Sequence, residues 1–473
     1  MNNTLEAYLL EAVGKAKEEI PAENPYRTVG FDKDKKRLGW LRVVPFADIK
    51  AVLEKTIPFL ENKENFIFVG MGGSINGIKP LFSFFKTKSL YALDSLDPAA
   101  LKNIIKKIKH VDKTLIIAIS KSGTTQETQL LSGTLKELFP VDWKSHFLWL
   151  TDKTAFEKLD GLGWAGTVRF PIQFDTETDV GGRFSSPHTL IFFLPLFILL
   201  KYNSKKLETI YKKYVALQGK VRAQAYRLAE KSKDASCAYF SPKVKGSFGK
   251  SFISWIVQMF QESLGSKKDS LAVKTTPAKI ADNRFMPVGL SLGVTHPVVS
   301  LMSQMYFFQV FIAFYAGLKG VNFVDQDFVE KYKEEMRKLS SEAVSDITPA
   351  TLGQVIEKVK KNAGSTYQFI EVVLYFCPSE PTIRAVHNEF TKAFKDKHIF
   401  LFIGSDWNHH SYQAAFSDKK TYYVFLVCSP YASEVTLIAR ETLRKNIDTL
   451  KLISKATYLT LKDKSLLFSL NIS

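Results

Sequence analysis

Short apolar runs separated by helical patterns recur along the chain, and they leave few folds open. Residues 66–70 (FIFVG), 114–120 (TLIIAIS) and 146–151 (HFLWLT) are such runs, and 168–170 can be a fourth. Helical stretches at 98–107 and 125–138 lie between them. Apolar runs too short for helices, rich in Ile, Val and Phe and alternating with helices, predict parallel βαβ units whose strands are buried on both faces. The second half repeats the style. A run at 235–240 precedes a long amphipathic stretch at 247–264, and helical patterns fill 298–317 and 328–339. Apolar runs at 369–376, 398–403 and 422–428 follow, with a helix expected at 380–394. The reading is an α/β chain of two units, each a parallel sheet between helices, with a helical junction near 190–228. We expect an N-terminal helical extension at 1–24, a first domain at 25–205 and a second at 206–473, which suits a length of 473 residues.

The charge balance, 65 basic against 47 acidic residues, gives +18. Lysines are spread along the chain, and the short clusters at 102–110 and 358–361 look like solvated helix faces. A nucleic-acid binder would concentrate them and interleave aromatics, so no nucleic-acid partner is expected. A positive field also attracts small anions such as phosphates. The three cysteines, Cys237, Cys377 and Cys428, form no CxxC and are too scattered for a disulfide framework. They point to a reducing compartment and away from a structural metal. The longest apolar run, 190–200 (LIFFLPLFILL), is too short to span a bilayer and contains Pro195, so a buried core helix is expected. No secretory pattern is visible at the N-terminus. Together these favour a cytoplasmic protein with no membrane partner.

The clearest chemical motif is residues 120–128 (SKSGTTQET), directly after the run at 114–119 and before a helix starting near Thr125. The carboxyl end of a parallel strand is where α/β sheets bind ligands. A helix start offers free backbone N–H groups, and Ser120, Ser122, Thr124 and Thr125 add hydroxyls. Lys121 adds a point charge, and Gly123 allows an unusual turn. Four hydroxyls and a lysine in six residues exceed what a helix cap needs, so a phosphate cradle is the preferred reading. A second loop, 70–77 (GMGGSING), also follows a strand-like run, and Gly73 and Ser74 allow close approach to a ligand. Its glycines do not complete GxGxxG, because Ile75 stands in the third position, so no dinucleotide site is expected.

These two loops resemble those of the sugar isomerase domains of phosphoglucose isomerases. Three further segments resemble that family in the same order: 179–185 (DVGGRFS), 258–265 (QMFQESLG) and 325–333 (DQDFVEKYK). The similarity spans roughly residues 25 to 465, and its style is that of the isomerase half of bacterial transaldolase–isomerase fusions. In the third segment the chain departs from the signature: Val324 replaces an aromatic, and Phe328 stands where a glycine is expected.

On residue type alone, Gln258 and Glu262 share a helical face, and Glu262 at its edge suits either a partly desolvated general base or a solvated surface carboxylate. Arg183, after two glycines, could approach a ligand or pair with a core carboxylate, for which the resemblance suggests Glu127. On residue type alone Lys333 reads as an ordinary solvated helix lysine. The resemblance assigns roles. It implies two sugar isomerase domains that interconvert glucose 6-phosphate and fructose 6-phosphate through a cis-enediolate, a step of glycolysis and gluconeogenesis. The phosphate would rest on Ser120, Lys121, Ser122, Thr124 and Thr125. Glu262 would move the proton between C2 and C1, and Arg183 would stabilise the enediolate. Gly73, Ser74, Gln258 and Gln326 would position the sugar. Lys333 and one histidine would open the ring. His409 or His410 fills that place in residues 405–413 (SDWNHHSYQ), where alignment on Gln413 selects His409 and alignment on Ser411 selects His410. An extended backbone there would point them to opposite sides, with His296 next in line. No cofactor or metal is implied. The partners implied are a phosphosugar substrate and a second copy in a homodimer. Another phosphosugar isomerase and a non-catalytic sugar-phosphate-binding regulator stay open, although the presence of both Glu262 and Arg183 argues against the second.

Overall fold

The structure, a computed structural model, describes residues 4–234, 239–246, 248–265, 274–275, 284–326, 328–339, 346–432 and 434–471. Cys237, the opening of the run at 235–240, Ser247 and Asp327 lie outside the described residues. The chain is α/β, with two five-stranded sheets whose strand pairs are all parallel.

The first sheet contains β1 (Asn65–Val69), β2 (Leu90–Leu93), β3 (Thr114–Ile119), β4 (Phe147–Thr151) and β5 (Val168–Pro171), in the spatial order β2-β1-β3-β4-β5. Central β1 and β3 pair in register, Ile67 opposite Ile116, and every residue of both is buried. This is why TLIIAI reads as a continuous apolar run. The second sheet contains β6 (Pro349–Ala350), β7 (Phe369–Tyr375), β8 (His398–Ile403), β9 (Thr421–Ser429) and β10 (Ser465–Asn471), in the order β6-β10-β9-β7-β8. The strands β2, β6 and β10 were not expected from the sequence.

In chain order, between the strands of the two sheets, come α1 (Leu190–Leu199), α2 (Ser204–Ser232), α3 (Gly249–Leu264) and α4 (Pro297–Leu318). The run at 190–200 is a buried helix as expected, with Pro195 inside it. Among the described residues, α4 is the one helix long and apolar enough to cross a membrane; here its apolar side chains are buried. Its start is fixed by Pro297 in the first turn and by His296, whose Nδ1 accepts the Val299 N–H at 3.4 Å. His296 is therefore a cap. Burying a Leu, Ile or Phe side chain contributes about 1.5–3 kcal/mol. Eighteen such residues in α1, α3 and α4 join the first sheet in one core. The N-terminal helix Thr4–Ala12 packs onto it through Leu5, Tyr8 and Leu9.

The architecture aims strand ends from both sheets at one place. Beyond β1 lies the 70–77 loop, beyond β3 the 120–125 loop, and beyond β8 the turn that carries His409.

Candidate active site

A cavity of about 520 Å³ opens between the two sheets, lined among others by Ser122, Thr124, Thr125, Glu127, Glu262, Gln326, Lys333 and His409. One wall is the start of the helix Gln126–Lys136. No side chain caps it, so its first N–H groups are left for a ligand. Ser122 Oγ accepts from the Thr124 N–H at 3.2 Å and its hydroxyl at 2.9 Å, folding the loop back toward the helix. Gly123 takes φ +70°, a conformation that favours glycine.

Glu262 forms the floor. It is 7% exposed and held from three directions. Arg183 Nη1 donates to Oε1 at 2.9 Å, Gln258 Nε2 donates to Oε2 at 2.9 Å, and Gln326 Nε2 also donates to Oε1. Arg183 is 4% exposed, with its other nitrogens on Ser263 Oγ at 2.8 Å and the Phe323 carbonyl at 2.7 Å. Its carboxylate partner is thus Glu262 and not Glu127, because the 182–184 turn packs directly against α3. Gly73 lets the 72–74 turn press against the same 182–184 turn: a Cβ there would sit 2.3 Å from the Gly182 carbonyl carbon.

Glu127 pairs instead with His409, whose Nε2 lies 2.8 Å from Glu127 Oε1. Burial raises the Glu127 pKa, but the charge and hydrogen bond of His409 outweigh it and hold the carboxyl below its ordinary value. Burial likewise opposes charge on His409, and Glu127 overcomes it, so the imidazole pKa is raised. An ionised carboxylate only accepts, so Nε2 carries the proton and Nδ1 is left for a ligand. His410 does not line the cavity. It is 3% exposed, with Nδ1 2.5 Å from Ser411 Oγ and Nε2 3.7 Å from Asp406, and burial pushes its pKa down to about 4. The backbone here is not extended: Asp406–His409 is a 3₁₀ turn, which sends the two rings apart.

The structure brings together Ser122, Thr124, Thr125, Glu262, Gln326, Lys333 and His409 around the cavity, with Arg183 and Gln258 behind Glu262. It places Gly73, Ser74, Ser120, Lys121 and Gln258 off the cavity lining. Ser120 Oγ is bonded to Thr125 Oγ1 at 3.0 Å and shapes the loop from within. Lys121 turns away, donating to the carbonyls of Thr178 at 2.8 Å and Val180 at 2.5 Å. Burial lowers its pKa to about 8, against the pull of Asp152. With Arg183 and Gln326 it borders a smaller cavity of about 140 Å³. Lys333 stands at the mouth, 2.6 Å from Glu330. Phe328 has φ −110°, which any residue adopts. Its ring stacks on Phe416 and its N–H donates to Gln413 Oε1 at 3.0 Å. Sequence reading missed Glu127 as the histidine's partner, although it lies inside the SKSGTTQET run.

Among the described residues, no group of three or more His, Cys, Asp or Glu could hold a metal ion.

The class this fold and cavity define is an α/β protein with an uncapped helix start facing a buried carboxylate–guanidinium pair. No family model matches the chain. It is similar to curated glucose-6-phosphate isomerases. To that of Campylobacter jejuni it is 29% identical over 251 residues, 49% of this chain and 59% of the relative. To that of Thermus thermophilus it is 32% identical over 136 residues, 26% of this chain and 30% of the relative. The chain thus spans less than two thirds of these relatives' lengths. Among solved structures, a glucose-6-phosphate isomerase from Chlamydia trachomatis superposes with TM-score 0.49 and 13% identity, covering 71% of this chain and 84% of that one. A hypothetical protein from Thermus thermophilus gives 0.49 and 19%, covering 70% and 94%.

Proposed function

We propose that the protein is a phosphosugar isomerase that interconverts glucose 6-phosphate and fructose 6-phosphate, acting in glycolysis and gluconeogenesis in the cytoplasm. The observation that carries this reading is the cavity itself, with the uncapped helix start and hydroxyls on one wall and Glu262 on the floor. The phosphate rests on Ser122, Thr124, Thr125 and the first N–H groups of the helix. His409, protonated through its pairing with Glu127, donates to the ring oxygen as the bond from that oxygen to C1 breaks, and the proton of the anomeric hydroxyl passes to water at the cavity mouth beside Lys333, leaving the C1 carbonyl. Glu262 then takes the proton from C2, leaving a cis-enediolate, and returns it at C1 as the hydroxyl proton passes from O2 to O1. Arg183, fixed against Glu262, supplies the positive charge that offsets the enediolate. The relatives named above support this choice of substrate.

A homodimer is part of the proposal. A single chain in sedimentation equilibrium would overturn that part. The test of function is a coupled assay of fructose 6-phosphate conversion on purified protein without added metal. Absence of turnover, with a sugar phosphate still bound, would favour the non-catalytic regulator.

A further inference from the structure

Behind Glu262 a line of buried polar side chains runs from the first sheet's 70–77 loop to the second sheet's histidine turn. Asn76 is fully buried at its centre. Its Oδ1 accepts from Lys79 Nζ at 2.8 Å. Its Nδ2 donates to Asp406 Oδ1 at 2.9 Å and Oδ2 at 3.2 Å, and to Gln258 Oε1 at 3.3 Å. Gln258 in turn donates from Nε2 to Glu262 Oε2 at 2.9 Å and to the His409 carbonyl at 3.1 Å.

An amide has one accepting end and one donating end, so each partner that can only give or only take restricts its direction. Lys79 only gives. Burial works against its charge, but Asp94 and Asp406 outweigh burial and raise its pKa. Asp406 only takes. Burial favours its neutral form, yet the charges of Lys79 and His410 and the bond from Asn76 outweigh that and lower its pKa. Cation on one side and carboxylate on the other leave Asn76 a single orientation. Its N–H then meets Gln258 Oε1, which turns the Gln258 NH₂ toward Glu262 and the backbone of His409.

We infer that Asn76, clamped between Lys79 and Asp406, is a positioning residue that sets the direction of the Gln258 amide and through it the pose of both Glu262 and His409. The inference rests on the proposed isomerase reading for its kinetic consequence, but not for its structural one. Nothing in the SKSGTTQET or QMFQESLG runs announces it. Asn76 and Asp406 are 330 positions apart and meet only when the two sheets close on the cavity.

The test uses the full chain and the variants Asn76→Leu, Asn76→Asp, Gln258→Leu and Asn76→Leu/Gln258→Leu. The shape-matched Asn76→Asp, which has at most one proton to give and so cannot serve both Asp406 and Gln258, is used where Asn76→Leu fails to fold. Turnover of fructose 6-phosphate should fall about tenfold in either Asn76 variant, the equivalent of about 1.4 kcal/mol, with KM little changed because the phosphate loop is untouched. The double variant should be no slower than Gln258→Leu, since both act through one amide. A structural role alone would lower the folded fraction without this non-additivity. In ¹⁵N-glutamine-labelled protein, the Gln258 side-chain amide signals, identified by their loss in Gln258→Leu, should move in the Asn76 variants and stay in place in Lys88→Met. Unmoved signals, full turnover in both Asn76 variants, or additive losses in the double variant overturn the inference. Moved signals in a wild-type protein without isomerase activity would uphold the positioning and overturn the function instead.

Discussion

His409 and Glu127 lie 282 positions apart and share a 2.8 Å hydrogen bond that links the loop beyond β8 of one sheet to the helix beyond β3 of the other across the cavity. Burial of the imidazole favours its neutral form, and the carboxylate reverses that. Substituting Glu127→Gln removes the carboxylate and leaves burial unopposed, so the His409 pKa should fall. If protonated His409 opens the sugar ring, the alkaline limb of the pH–rate profile should move to lower pH. A profile that keeps its alkaline limb in Glu127→Gln would detach the histidine from ring opening.

The same pair has a stability signature. The His409 contribution is fully present below its ordinary pKa of 6.5 and is lost as pH rises through the raised folded value. The Glu127 contribution is present above 4.5 and is lost as pH falls through its lowered folded value. Glu127→Gln should therefore destabilise most between those two ordinary values, as read by urea unfolding across pH.

The two adjacent histidines should differ sharply. His409→Asn should slow turnover of the cyclic sugar by a factor on the order of 10²–10⁴, the range for a lost general acid, and matter less for open-chain substrate. His410→Asn should change turnover little, because that ring faces Ser411 and Asp406 and not the cavity. Its effect belongs to stability. Its pKa of about 4 lies below the ordinary 6.5, so the unfolded chain binds the extra proton first. The wild type should lose stability as pH falls from 6.5 toward 4, by about 3 kcal/mol from this group. Asp406, Lys79 and His409 surround it, and His410→Asn should flatten that acid loss in denaturant titrations.

What the sequence made legible follows from how local each signal is. The runs at β1, β3, β4, β7 and β9 are mostly apolar because these parallel strands are covered on both faces, and the half-buried edge strand β8 still carries IFLFI, so they could be read without tertiary knowledge. β10 mixes exposed and buried positions as SLLFSLN, and β6 is two residues long, so neither carried a period to detect. The phosphate loop was visible because its hydroxyls and helix start are contiguous. The partners of Arg183 and His409 were not, since Glu262 and Glu127 are chosen by which loops the sheets bring together. Lys121 illustrates the limit: its place in the motif suggests an anion contact, whereas carbonyls 57 and 59 positions away claim its ammonium.

Gly73 should tolerate no side chain. A Cβ there would lie 2.3 Å from the Gly182 carbonyl carbon and 2.4 Å from the Arg183 nitrogen, both backbone atoms that cannot rotate aside. Gly73→Ala should displace the turn that carries Arg183, costing about 1–3 kcal/mol as overpacking and weakening catalysis. Gly133→Ala, inside the helix Gln126–Lys136 with nothing within 4 Å, is the matched control and should leave turnover unchanged while raising stability by up to about 1 kcal/mol, since alanine is the better helix former. Equal melting temperatures and turnover in the two variants would show that the close approach is not needed.

Glu262→Gln carries the heaviest weight for the mechanism. The carboxylate accepts from Arg183, Gln258 and Gln326, so its two oxygens are already fixed toward the cavity floor. An amide keeps the volume but cannot take a proton from C2, and turnover should fall by a factor on the order of 10²–10⁴. It also turns one N–H pair toward donors and leaves Arg183, 4% exposed, without its counter-charge. Breaking a buried pair costs about 3–5 kcal/mol, so the melting temperature should drop as well. The two effects separate by binding. Sugar-phosphate affinity, set by Ser122, Thr124, Thr125 and the helix start, should persist in the folded fraction. A variant that keeps more than about a tenth of wild-type turnover would remove Glu262 from proton transfer. A variant that loses affinity in step with turnover would show that Glu262 shapes the cavity and does not act as its base.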